Sequence, residues 1–177
     1  MAKKKQFLDI PDLSADSRRF IEDLQKETDR GAALIGAAFI DNVMESMLRA
    51  YFVDDKEIVD EILNSNDLIG NLSVKGKLAY CLGLIGKENY RDINVIRKIR
   101  NEFAHLDKLV SFDMPDVKKL CQVLISPKVI PPVSKLSNRD IFITTVVIVS
   151  NQLLLCGLPL QHRTRRKDFT LGELVKA

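Results

Sequence analysis

Arg97, Arg100, Asn101 and His105 lie close together in "VIRKIRNEFAHL", residues 95–106. An imidazole can act as acid or base and a guanidinium can stabilise a developing phosphate charge, so the set could do phosphoryl chemistry. The same groups, with an amide between them, could equally form a recognition surface. A helical wheel separates the options. With Phe103 at the centre of the buried face and about 100° per residue, Ile96, Ile99 and Leu106 fall within roughly 60° of it. Arg97, Asn101 and His105, spaced i, i+4, i+8, form a polar row roughly 120° to 160° away. Arg100 lies nearer the core edge, about 140° around the helix from His105, so one chain does not focus these two on a single atom.

The elements that must position this helix read as helices throughout. "DLSADSRRFIEDLQKETDRG" offers Ser14 as an N-cap and Phe20, Ile21 and Leu24 as an apolar stripe, with Gly31 marking a break or bend. Residues 32–52 carry Leu34, Ile35, Ala38, Phe39, Val43, Met47 and Ala50 at spacings that wind onto one face. "DDKEIVDEIL" starts on Asp54 or Asp55. "LSVKGKLAYCLGLIG" has Ser73 as cap and an end near Gly86, and "KENYRDINVIRKIRNEFAHL" follows directly. "SFDMPDVKKLCQVL" takes Asp113 as N-cap with Pro115 in its first turn.

"SPKVIPPVSKL" is the clearest linker, because its prolines deny it a regular helix. "NRDIFITTVVIVSNQLLLCGL" is rich in β-branched residues, yet its length without a turn signal favours a helix. The apolar part, residues 141–155, is interrupted by Asn151 and Gln152 and falls short of the roughly 20 residues needed to span a bilayer, so it reads as a buried helix. The fold class expected is all-α: one helical bundle of about six or seven helices. Its organisation is an N-terminal arm over 1–13, a helical domain over 14–159 with the Pro-rich linker near 126–134, and a basic C-terminal tail over 160–177.

The 177 residues are 46% hydrophobic and 29% charged, an ordinary globular composition. The net charge of +3 comes from 27 basic against 24 acidic residues and is too small to argue nucleic-acid binding. Cys81, Cys121 and Cys156 have no paired spacing, which makes them reduced thiols in a core, Cys81 a packed thiol rather than a nucleophile. "MAKKKQFLDIPDL" lacks an apolar run of signal-peptide length, so the expectation is a cytoplasmic protein with no membrane contact. Gly76-Lys77 lacks the surroundings of a phosphate-binding loop. Asp54, Asp55, Glu57, Asp60 and Glu61 read as a solvated helix start rather than a metal site, and two histidines do not make a catalytic zinc centre. No cofactor is expected.

The sequence Arg100-Asn101-Glu102-Phe103-Ala104-His105 resembles the "R, four to six residues, H" signature of HEPN domains, all-helical modules that often dimerise. In the ribonucleases among them the Arg and His of two copies meet across the dimer. The resemblance implies a metal-independent ribonuclease or toxin-like module, with Arg100 and His105 as its catalytic pair.

A wider resemblance covers residues from about 32 to 124. "GNLSVKGKLAYCLGLI", the following "ENYRDINVIRKIRNEFAH" and the earlier "DDKEIVDEIL" are similar, in order and spacing, to the mannitol operon repressor (MltR) family of bacterial regulators. That resemblance implies a helical repressor of a sugar-alcohol operon that lacks a helix-turn-helix and works through a protein partner. Arg97, Asn101 and His105 are then the partner-binding residues, with a homodimer compatible. The plainest alternative is that His105 serves its helix C-terminus and Arg100 covers the core edge with its stem. For "HRTRRK" a solvated tail is the simpler reading. Its functional reading is phosphate contact by Arg163, Arg165 and Arg166, as a direct DNA-binding repressor would need.

Overall fold

The computed structural model describes residues 15–63, 71–105, 109–126, 136–160 and 162–163, and among them there are seven helices and no strand. They are α1 (Ala15–Lys26), α2 (Asp29–Tyr51), α3 (Lys56–Leu63), α4 (Leu72–Cys81), α5 (Lys87–Ala104), α6 (Pro115–Gln122) and α7 (Asn138–Gly157). The all-α bundle expected from periodicity is what forms. Ser14, Leu106 and the proline-rich linker lie outside the described residues.

The central pair is α2 and α7, the most extensive helix pairing in the fold. Gly36 lets them approach, because a Cβ there would sit 3.2 Å from both the Phe142 ring and a Val146 methyl. Around this pair α5 packs on α2, α4 on α2 and α5, α6 on α5 and α7, and α1 on α7 and α2. One core results, built on Ile40, Met44, Ile96, Ile99, Phe103 and Val146, none of them exposed. The Phe103, Phe112 and Phe142 rings chain through it at centroid separations of 4.8 and 5.2 Å. Such tilted aromatic contacts add to plain burial.

α7 is a helix despite its β-branched run, and its polar side chains show how. The Thr145 hydroxyl donates to the Ile141 carbonyl at 2.7 Å and the Ser150 hydroxyl to the Val147 carbonyl at 2.9 Å, so both are buried without loss. Ser137 and Asp140 form a reciprocal capping box at its start. At 20 residues α7, like α2 at 23, is long and apolar enough to cross a membrane by length and composition, which corrects the shorter reading. In this fold the two are core helices packed on each other.

Several boundaries differ from the sequence reading, each for a local reason. Gly31 does not break the chain; the break falls at residues 27–28, where Thr28 caps α2 by accepting from the Gly31 amide at 3.0 Å. Asn71 rather than Ser73 caps α4, accepting from Val74 N–H at 3.1 Å. Met114 takes the N-cap position of α6, while Asp113 accepts from the Asn138 side chain. α4 ends at Cys81, before Gly86, because Gly83 takes φ 72°. The Leu84 amide then donates to Ala79 and the Gly83 amide to Tyr80, the double closure of a Schellman motif. Gly83→Ala is expected to lower stability by about 1 kcal/mol from the positive φ alone, read as a shift in the urea midpoint at unchanged slope.

The early stop also turns Cys81 outward. It is exposed, which corrects its reading as a packed thiol, whereas Cys121 is buried and Cys156 half-buried. Burial, with the nearby charge of Asp113 added, pushes the Cys121 thiol up to about 12. Since only the thiolate reacts, an aromatic disulfide reagent at mildly alkaline pH is expected to modify Cys81 promptly and Cys121 only after unfolding. Loss of the fast phase in Cys81→Ser checks the assignment.

Candidate functional site

The α5 stripe places Ile93, Ile96, Ile99 and Phe103 in the core, as the wheel requires. Its opposite side is not simply solvated. Arg97 and Asn101 are half-buried, and together with the exposed Arg100 they line a cleft of about 780 Å³ between α5, α2 and the start of α4. α2 supplies Leu34, Ala37, Ala38 and Asp41, the two alanines leaving the room, and the first turn of α4 supplies Leu72 and Ser73 after the cap Asn71. Arg100 donates to the Asn101 amide oxygen at 3.1 Å. The structure thus joins Arg97, Arg100 and Asn101, where the wheel joined Arg97, Asn101 and His105.

His105 stands apart from that cleft. α5 ends at Ala104, and His105 is its C-cap in extended conformation (φ −71°, ψ 114°), so it leaves the helical row and is exposed. The helix end is served by its backbone instead: the His105 carbonyl accepts from the Arg30 guanidinium at 2.9 Å, a cation placed where the helix dipole favours one. Arg163, the described member of the basic tail set, lies with its guanidinium 4.5 Å above the Tyr51 ring, and its backbone N–H donates to the Tyr51 carbonyl. It is tied to the end of α2. Arg165 and Arg166 lie outside the described residues.

Beneath the cleft is a charge network that the sequence reading did not identify. Lys75 is 1% exposed, and its ammonium donates to Glu45 at 2.9 Å and Asp41 at 3.2 Å. Glu45 also holds Arg49, and Arg49 reaches Asp60, which joins α3 to α2. Burial raises the Glu45 carboxyl, but hydrogen bonds and charge from Lys75 and Arg49 outweigh it and hold the group below its usual range. Asp60 therefore belongs to this network rather than to a solvated acidic run. The second Asp41 oxygen, Oδ1, is buried with no hydrogen-bond partner among the described residues, and so is Nε of Arg97.

A buried carboxylate works structurally. Asp92, fully buried, accepts from the amides of Ile125 and Ser126 at 2.9 and 2.8 Å and from the Ser126 hydroxyl at 2.6 Å. It fixes the chain after α6 against α5. Arg139 does the same for the α1–α2 junction, pairing with Asp29 and donating to the Leu24 carbonyl at 3.0 Å. Among the described lining residues of the cleft there is neither a histidine nor a cysteine. What remains is a set of donors and acceptors suited to binding.

A family model described as MtlR, mannitol repressor, matches residues 17–154. The fold is similar to a chain in the X-ray structure of the MtlR-HPr complex from Escherichia coli, with a TM-score of 0.66 and 18% identity. That alignment covers 79% of this chain and 99% of the other. Comparison with curated proteins gives no match. Because the family match takes in α2 to α6 whole and most of α1 and α7, the chain belongs to the mannitol repressor family.

Proposed function

We propose that this chain represses a mannitol-type operon through contact with HPr, rather than by reading DNA with a motif of its own. The family match over residues 17–154 carries the regulatory half of this reading. The structurally similar relative was solved as a complex with HPr, which supports a protein partner of that kind here. The near balance of charge, +3 overall, supplies little for the phosphate backbone of DNA. An operon regulator works where the transcript is made, so a cytoplasmic location goes with this reading.

Of the row read as the partner surface, His105 is the exposed member and carries the contact in this proposal, while Arg97 and Asn101 are half-buried on the cleft wall. The HEPN-like alternative, RNA cleavage by Arg100 and His105, requires a second copy to bring them together.

The test is a reporter driven by the mannitol operon promoter in the source cell. Deleting the coding sequence should raise expression several-fold, the intact gene should restore repression, and His105→Ala should restore it only in part. Unchanged expression on deletion contradicts the regulatory role.

A further inference from the structure

We infer that the cleft between α2, α4 and α5 binds a phosphorylated polyol, which acts as a small effector of the regulator. The effector role rests on the function proposed above; the ligand chemistry rests on the cleft. Arg97 and Arg100, three residues apart, face one space, and among the described residues neither pairs with a carboxylate. Guanidiniums are the groups best suited to hold a phosphate by paired hydrogen bonds. The one acid among the described lining residues, Asp41, is offset by buried Lys75 through its other oxygen. The space therefore favours an anion.

Two orphaned atoms refine the ligand. Nε of Arg97 is a buried donor without an acceptor, and Oδ1 of Asp41 is a buried acceptor without a donor, both on residues that line this cleft. Their needs are opposite. A bare anion would satisfy Arg97 and repel Asp41, whereas a neutral polyol would donate to Asp41 and leave two guanidiniums uncompensated. A phosphate ester with free hydroxyls meets both at once. Ser73 and Asn101 add hydroxyl and amide groups, and the described lining holds no aromatic ring on which a nucleobase could stack. At about 780 Å³ the cleft has the size of an ordinary small-molecule site and is far larger than a phosphate needs.

The experiment is calorimetric titration of the full chain with inorganic phosphate, with mannitol and with a phosphomonoester of mannitol, alongside HPr on the same preparation. The phosphomonoester is expected to bind at least about tenfold more tightly than either fragment, since one ligand then engages both groups. Arg100→Gln, at an exposed position that leaves the fold intact, should lose roughly tenfold in affinity for it. Asp41→Asn should weaken the phosphomonoester while leaving inorganic phosphate as strong or stronger. Equal affinity for phosphomonoester and inorganic phosphate, affinities unmoved in both variants, or binding of a phosphorylated protein alone would each overturn the proposal. HPr binding without polyol phosphate binding sinks the cleft assignment and leaves the regulator reading standing. The converse result sinks the HPr contact and leaves the cleft.

Discussion

Replacing Lys75 by Met should destabilise the bundle by about 3 kcal/mol and lower its melting temperature by roughly 6 to 12 °C. The lysine side chain is 2% exposed while those of Asp41 and Glu45 are about a third exposed, so its removal leaves two carboxylates facing a part-buried gap. Breaking one partner of such a network costs more than deleting the whole set, since the remaining charges lose their compensation and are only partly rehydrated. Adding Asp41→Asn and Glu45→Gln to Lys75→Met should therefore recover part of the loss, which thermal unfolding of the single and triple variants checks.

The same network makes a signed prediction for pH. The folded-state carboxyl of Glu45 lies below its ordinary value of 4.5, so its contribution is fully present above that value and is lost as pH falls through the folded value. Wild-type stability should fall on acidification below about pH 4.5, and Glu45→Gln should be less stable at neutral pH yet flatter over that acid range.

The second large effect belongs to Asp92. Asp92→Ala leaves two amides and a hydroxyl at residues 125 and 126 without their shared acceptor, the two donors of Ser126 in a buried place. Each hydrogen bond to a charged acceptor is worth about 1.5–3 kcal/mol, and because the three share one carboxylate the expected loss is about 3 kcal/mol rather than their sum. Hydrogen exchange should show the Ile125 and Ser126 amides losing protection first. If Asp92→Ala melts within about 2 °C of the wild type, the carboxylate is not the clamp described here.

Both residues had a signal in the sequence. Asp92 occupies the stripe of Ile96, Ile99 and Phe103, and Lys75 shares a helical face with Ala79; a charge on a core face must find a partner. What the sequence withholds is the partner, because Asp41, Glu45 and Ser126 come from 30 or more residues away and meet these charges only after packing. Periodicity was sufficient for the seven helices and for Ile96, Ile99 and Phe103 as core, since these depend on local spacing. Caps were harder to place: Asn71, Ser73, Asp113 and Met114 offer neighbouring choices, and the tertiary demand on Asp113 from Asn138 decides one of them.

The candidate site shows the same division. A wheel built on one helix sends Arg97 and Asn101 to solvent, but α2 and α4 cover that side and turn it into a cleft. It extends the helix one residue too far at His105, whose extended conformation takes the imidazole out of the row. Arg100, placed near the core edge by the wheel, becomes part of the same polar wall as Arg97.

The most direct test of the account is titration of HPr into the full-length chain, with a mannitol operator DNA fragment titrated in parallel at several salt concentrations. Saturable HPr binding near one to one, with a dissociation constant of about 10 μM or tighter and weakened in His105→Ala, is the predicted result, together with at most weak DNA binding. Absence of HPr binding at about 1 mM, alongside tight, salt-sensitive and sequence-selective binding of the operator, would contradict it.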